Sequence, residues 1–105
     1  MPSPQSRTRY GESVITAIVF VKADTARIPE VAQAIADLDG VSEVYSTTGQ
    51  TDLIVMVRVR EHDEIATVVA DRINKVPGIV DTETHIAYRA YSKHDLESAF
   101  SLGLD

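Results

Sequence analysis

The sequence predicts an α+β fold: a four-stranded antiparallel sheet with two helices on one face, in the order β-α-β-β-α-β. Two observations support this prediction. Apolar residues switch twice between strand-like runs and helical spacing along the chain. The two halves also repeat with an offset of 38 residues, so that Gly40-Val41 recurs as Gly78-Ile79. A duplicated strand-helix-strand unit with right-handed crossovers gives the ferredoxin-like arrangement.

The first half of the chain begins with a polar segment, residues 1–13, which we expect to form a flexible N-terminal arm. Residues 14–21 form a continuous apolar run, which is typical of a central strand covered on both faces. From Ile28 onward the apolar residues fall at helical spacing, with Pro29 in the first turn and Gly40 at the exit. This segment therefore predicts an amphipathic helix.

The second half of the chain repeats this alternation. The remaining predicted elements are strands at 41–46, 53–60 and 79–88, and a second helix from the candidate N-cap Asp63 to Pro77-Gly78. These elements define a domain over 14–91, followed by a C-terminal tail over 92–105. A capping-box pattern at 92–95, with Leu96, Ala99 and Phe100 on one side, predicts a short terminal helix in that tail.

Composition excludes several classes of function. A chain of 105 residues predicts a single domain. The formal charge of −6 argues against direct binding of nucleic acid, which needs clustered Lys and Arg. The chain has no cysteine and no apolar run of the ~20 residues that a membrane span needs. We therefore expect a cytoplasmic protein that binds neither nucleic acid nor membrane.

The face of the predicted sheet opposite the helices is also apolar. Period-2 alternation turns one set of residues toward the helices, namely Ala17, Val19, Val21, Val55, Val57 and Val59. The same alternation turns Ile18, Phe20, Ile54 and Met56 to the other side, where the predicted fold has no second layer. An exposed apolar patch of this kind usually marks an interface. We therefore predict a homodimer packed sheet on sheet.

The connection between the second and third strands is a polar turn around Gly49. Glycine supplies the positive φ that a tight turn needs, and hydroxyl, amide and carboxylate groups surround it: Thr47, Thr48, Gln50, Thr51 and Asp52. Two interpretations are open. The polar groups cap the backbone of the turn itself, or the N–H groups and Asp52 bind the zwitterionic end of a small ligand.

Several motifs, taken together in their order and spacing, resemble a known family. They are Gly40-Val41, Tyr45-x-x-Thr48-Gly49-x-x-Asp52-Leu53, Pro77-Gly78-Ile79 and Thr82-x-Thr84. They look like the regulatory domain of the Lrp/AsnC, or feast/famine, transcription regulators, over residues 13–90. The resemblance implies a ferredoxin-like domain that dimerises through its sheet and assembles into larger rings such as octamers. It also implies an amino-acid effector bound at the turn, between dimers.

The resemblance transfers to individual positions. Thr48, Gly49 and Asp52 match the turn of the family, and Thr82 and Thr84 match the threonines of its last strand. Proximity along the same elements adds Tyr45, Gln50, Thr51 and Glu83 to the predicted ligand-binding set. Full-length members carry an N-terminal helix-turn-helix, whereas about a dozen polar residues precede Val14. We therefore expect a stand-alone regulatory domain.

Two alternative functions remain open from the sequence. Small dimeric ferredoxin-like proteins include cofactor-free monooxygenases and isomerases, and here His85 with Tyr88 or Tyr45 would face a cavity. The spacing of His62, His85 and His94 does not suggest a metal site, and the sequence predicts no catalytic residue, metal or cofactor. The second alternative is a structural adaptor that pairs with full-length regulators of the same family.

Overall fold

The computed structural model describes residues 14–93. Its strands are β1 (Ile15–Ala23), β2 (Val41–Ser46), β3 (Leu53–Val59) and β4 (Ile79–Ile86), and its α-helices are α1 (Ile28–Ala36) and α2 (His62–Ala66). The predicted arm over 1–13 lies outside the described residues, as does the predicted terminal helix from His94 onward. No helix within the described part is long and apolar enough to cross a membrane.

The four strands form one antiparallel sheet in the order β2-β3-β1-β4. β1 lies in the middle, with Val19 opposite Val55 of β3 on one side and opposite Thr84 of β4 on the other. Each helical connection joins two strands that are not neighbours in the sheet, as the duplicated strand-helix-strand unit requires. The predicted ferredoxin-like fold is confirmed.

The core lies between the sheet and the helices. The side chains that alternation turns toward the helices are buried: Ala17, Val19, Val21, Val55, Val57 and Val59. They pack against Val31 and Ile35 of α1 and against Ile65, Val68 and Ile73 of the second helical segment. The prediction of which sheet residues face the helices is therefore confirmed.

The second helical segment differs from the single amphipathic helix that the sequence predicts. It begins at His62, with Glu61 rather than Asp63 as the N-cap residue. The Glu64 carboxylate explains this start, because it accepts hydrogen bonds from the backbone N–H groups of Arg60 (3.0 Å) and Glu61 (2.9 Å).

After α2 the chain continues as a π-helical turn (Thr67–Arg72) and a 3₁₀ turn (Ile73–Lys75). In a π-helix, backbone hydrogen bonds join residues five apart, so such residues lie on nearly the same face. Val68 and Ile73 stand in this relation, and both are buried in the core. An uninterrupted α-helix would turn them apart, so packing of this pair accounts for the irregular segment.

Candidate ligand-binding site and interaction surface

The turn between β2 and β3 is closed by its own backbone and one hydroxyl group. The Thr47 N–H donates to the Asp52 carbonyl at 3.0 Å, and Thr47 Oγ1 donates to the Thr51 carbonyl at 2.8 Å. Gly49 has a φ of 101°, and a Cβ built there would meet no atom within 4 Å. Glycine is therefore required at this position by backbone conformation and not by crowding.

Asp52 connects the turn to the neighbouring strand. Its Oδ2 accepts a hydrogen bond from the Ala23 N–H at 2.9 Å, and its own N–H donates to the Val21 carbonyl at 3.0 Å. The β1–β3 pairing ends at Val21 opposite Leu53, so the Ala23 N–H, on the same edge of β1 as the Val21 carbonyl, has no acceptor in β3. One oxygen of Asp52 thus has a structural role, while Oδ1 has no hydrogen-bond partner within residues 14–93.

The tip of the turn presents polar groups to solvent. Thr48, Gly49 and Gln50 are exposed, and Thr51 is partly buried. The Lys22 ammonium donates to the Gln50 carbonyl at 2.8 Å, which places a positive charge beside the tip. The Thr48 hydroxyl and the Lys22 ammonium can attract a carboxylate, and Asp52 Oδ1 can accept a hydrogen bond from an ammonium.

The predicted residues of β4 lie on two different faces of the sheet. Thr82 and Thr84 are turned toward the helices, where Thr82 Oγ1 donates to Asn74 Oδ1 at 3.0 Å. Glu83 is turned to the open face, with Oε2 at 2.8 Å from His85 Nε2. Thr82 is two strands away from Leu53, about 10 Å, because Val21 lies between them. A single chain therefore does not bring β4 and the turn into one pocket.

Tyr45 belongs to a polar network on the open face near β2. Its hydroxyl donates to Glu43 Oε2 at 2.9 Å, and Arg58 Nη1 donates to Glu43 Oε1 at 3.0 Å. The Arg58 hydrogen bond, together with that of Tyr45, holds the pKa of Glu43 below its ordinary value. The same contact with Glu43 raises the pKa of the Tyr45 phenol.

The open face has an apolar centre between two polar edges. Phe20 lies opposite Ile54 and Ile18 lies opposite Met56 on the two central strands, and all four side chains are partly buried in the single chain. Glu43, Tyr45 and Arg58 lie on one side of this centre, with Glu83 and His85 on the other. An apolar centre with a polar rim is the usual arrangement of a protein interface.

The residues of the predicted enzyme alternative do not converge. His85 is on β4 and Tyr45 is on β2, at opposite edges of the sheet and about 14 Å apart by strand spacing. The His85 ring instead packs edge-on against Phe20 with centroids 5.3 Å apart. Tyr88 is fully exposed after β4. No group of three or more potential metal ligands occurs within residues 14–93.

Three polar residues of this surface were missed by sequence reasoning: Lys22, Glu43 and Arg58. Alternation along β1 and β3 was sufficient to place Lys22 and Arg58 on the open face. Glu43 was not predictable in the same way, because a register shift between Val41 and Glu43 sets it opposite Met56.

Comparisons with known proteins agree with this architecture. The model of the Lrp/AsnC ligand binding domain matches residues 16–96. The chain is 38% identical over 82 residues to the HTH-type transcriptional regulator LysM of Saccharolobus solfataricus, covering 76% of this chain and 56% of LysM. It is similar to TTHA0845 of Thermus thermophilus (40% identity, TM-score 0.71), covering 75% of this chain and 99% of that structure.

A more distant structural neighbour carries a ligand. It is the transcriptional regulator NMB0573 of Neisseria meningitidis in complex with L-Met, with 20% identity and a TM-score of 0.64, covering 74% of this chain and 52% of that structure. At this identity the likeness concerns the fold alone.

The fold and the family model together define a ligand-binding domain of the regulator type. The chain belongs to the Lrp/AsnC family. It spans about half the length of the curated relatives that it matches, and these are described as HTH-type transcriptional regulators.

Proposed function

We propose that this chain is an amino-acid-responsive regulatory and oligomerisation module of the Lrp/AsnC type. The observation that carries the proposal is the Gly49 turn, where the partly buried Asp52 uses only one carboxylate oxygen and Thr48 is exposed, with a lysine ammonium beside the tip. These groups match the two charges of an α-amino acid. The L-Met complex of the neighbour NMB0573 supports an amino acid as the ligand class.

In this proposal Thr48, the backbone at Gly49 and the nearby Lys22 bind the α-carboxylate, and Asp52 Oδ1 binds the α-ammonium. The residues of β4 enter from a second copy, because one chain keeps Thr82 about two strand spacings from the start of β3. The effector would then lie between dimers and bias their assembly. A ligand stabilises an assembly when it binds that assembly more tightly than its parts.

Assembly in this proposal starts with a dimer formed through the open face. Four apolar side chains supply the centre of the contact, and each is worth roughly 1.5–3 kcal/mol when it becomes fully buried. A two-fold axis would bring the same face of both copies together as an isologous interface. Dimers would then form a larger ring such as an octamer. A full-length Lrp/AsnC regulator is a further proposed partner, since it would present the same kind of sheet face.

We propose that the 105-residue chain itself does not bind DNA and acts in the cytoplasm. Its formal charge is −6, whereas duplex binding requires a surface that neutralises phosphates with Lys and Arg. A mobility-shift assay at physiological salt is expected to show no sequence-selective complex. Nanomolar, sequence-selective binding would contradict this part of the proposal.

The test of the effector site uses two substitutions at one position. Asp52→Asn keeps an oxygen that can accept from the Ala23 N–H but removes the charge, whereas Asp52→Ala removes both. At 100 times its dissociation constant, an effector stabilises the folded state by about 2.7 kcal/mol. We therefore expect at least one amino acid to raise the melting temperature of the parent chain by several degrees, and native mass spectrometry to show a shift in oligomer distribution.

The two variants separate binding from structure. We expect Asp52→Asn to melt close to the parent and to lose the response, while Asp52→Ala melts lower because a partly buried N–H loses its acceptor. A flat response of the parent to every amino acid would refute the proposal, and so would an Asp52→Asn variant that responds like the parent. Either result would leave Asp52 as a cap for the Ala23 backbone.

A further inference from the structure

A polar cavity lies at the end of the sheet opposite the Gly49 turn. It has a volume of about 390 Å³ and is formed where β3 ends, where α2 begins, and beside the π-helical turn. Val59, which lines the cavity, is six residues along β3 from Leu53, a distance of about 20 Å. It is therefore a separate place on the molecule, within the size range of small-molecule sites.

Charged groups of both signs line this cleft without pairing with each other. The lining includes three arginines and two acidic residues, namely Arg58, Arg60, Arg72, Asp39 and Glu64. Arg58 is paired with Glu43, which lies outside the lining, and no ion pair of residues 14–93 joins two lining residues. Opposite charges that line one cavity and remain more than 4 Å apart can receive a ligand with two charges of its own.

Most of the donors in the cleft are not used by the fold. Arg72 Nη1 donates to the Asp39 carbonyl at 2.7 Å, which holds the side chain across the cavity and leaves the other N–H groups of the guanidinium available. The Arg60 guanidinium has no hydrogen-bond partner among residues 14–93, and the same holds for the Asp39 carboxylate. Glu64 uses Oε1 to cap α2, so its position is fixed.

The lining of the cleft has two further features that favour ligand binding. Val59 and Val68 are buried side chains that line it, so part of the cavity is apolar. Thr67, Val68 and Arg72 all belong to the π-helical turn. Such turns are rare and are found frequently at functional sites. Here the turn brings Arg72 to the cavity while it keeps Val68 in the core.

We propose that this cleft binds a small zwitterion that carries a carboxylate, a cationic nitrogen and an apolar part. Arg60 and Arg72 take the carboxylate, Asp39 and the second oxygen of Glu64 take the cationic nitrogen, and the apolar part packs on Val59 and Val68. Because groups of both signs line the cleft, a ligand with only one of the two charges leaves one set of groups without a partner, and the cleft discriminates against it. This site is independent of the Gly49 turn.

The test uses three probes of similar shape. L-Leucine carries both charges, 4-methylpentanoate lacks the ammonium group and 3-methylbutylamine lacks the carboxylate. In a ¹⁵N-labelled sample of the full chain, L-leucine is expected to shift the amide signals of Gly40 and Thr67. Each analogue is expected to bind at least about tenfold more weakly, since one set of charge-assisted hydrogen bonds is lost.

Matched variants identify the groups. Arg60→Gln and Asp39→Asn are each expected to weaken L-leucine binding at the cleft by about tenfold. Lys75→Gln and Asp71→Asn make the same charge changes nearby but outside the lining, and are expected to bind like the parent. Arg60 and Asp39 are exposed, so these variants are expected to fold like the parent.

Several results would overturn the inference: no shift at the cleft amides, equal binding of L-leucine and either analogue, or unchanged binding in both cleft variants. Shifts confined to Gly49 and Gln50 would also overturn it while leaving the proposed effector site intact. Conversely, Asp52→Asn is expected to leave binding at the cleft unchanged. The two proposals therefore fail independently.

Discussion

Both faces of the sheet carry apolar residues on the two central strands but differ in what covers them. Val19, Val55 and Val57 have no exposed surface, because the helices lie over them. Phe20 and Met56 alternate with these residues and remain partly exposed on the open face. Both crossovers lie on the same side of the sheet, so residues 14–93 cover only one face. We therefore expect a partner to cover the open face, for the same physical reason that the helices cover the other face.

The largest expected effect comes from placing a charge on each face in turn. Val55→Asp would bury an unpaired carboxylate beneath the helices, at a cost of several kcal/mol against a total stability of about 5–15 kcal/mol. We expect this variant to be unfolded. Met56→Asp, one residue along, is expected to remain folded and to lose self-association, as shown by circular dichroism and analytical ultracentrifugation.

Either of two results would contradict this difference between the two faces. A Met56→Asp chain that is unfolded at all concentrations would show that the open face stabilises the monomer. A Met56→Asp chain that sediments like the parent would place the dimer contact somewhere else on the molecule.

A smaller difference in stability is expected between alanine substitutions at two glycines, one on the covered side of the sheet and one at the tip of the β2–β3 turn. Gly40 and Gly49 both have positive φ, 94° and 101°. A Cβ at Gly40 would come within 2.5 Å of Val68 Cγ2, whereas a Cβ at Gly49 would meet nothing within 4 Å. We expect Gly49→Ala to cost about 1–2 kcal/mol for backbone strain alone. Gly40→Ala should cost about 1–3 kcal/mol more because of overpacking.

Urea denaturation of the two alanine variants measures this difference. Equal losses of stability would mean that the π-helical turn moves away from Gly40 at little cost. The core under the π-helical turn would then be less tightly packed than the Gly40 contact indicates.

The smallest effect concerns the polar edge of the open face. The Arg58 hydrogen bond, followed by that of Tyr45, lowers the pKa of Glu43, so the ionised carboxylate favours the folded state. This contribution is present above the ordinary glutamate pKa of about 4.3 and is lost as the pH falls through the lowered value in the folded protein. We expect Glu43→Gln to melt slightly below the parent near pH 7.

The pH dependence of that difference is the useful measurement. The melting temperatures of the parent and Glu43→Gln should converge as the pH decreases below about 4. The effect is small because the group is exposed to solvent. A difference that stays constant between pH 7 and pH 3 would mean that the glutamine acts through packing and not through charge.

Much of the fold was predictable because it depends on local periodicity. Alternation along β1 and β3 identifies the residues of each face, and helical spacing from Ile28 identifies α1. The repeat of Gly40-Val41 as Gly78-Ile79 indicates the duplicated unit, and both glycines have positive φ directly before the strand that follows each helical segment. Alternation also places Thr82 and Thr84 on one face of β4 and Glu83 on the other. The predicted ligand-binding set did not take this into account.

The sequence alone therefore determined the strands, the first helix, the two faces of the sheet and the family. Only the tertiary structure decided the partners of individual polar groups, because these depend on register. The end of the β1–β3 pairing at Val21 leaves the Ala23 N–H that Asp52 caps, and packing in the core produces the π-helical turn that carries Arg72 to the cleft. Contacts between residues 29 or 33 positions apart, such as these, have no signature in local periodicity.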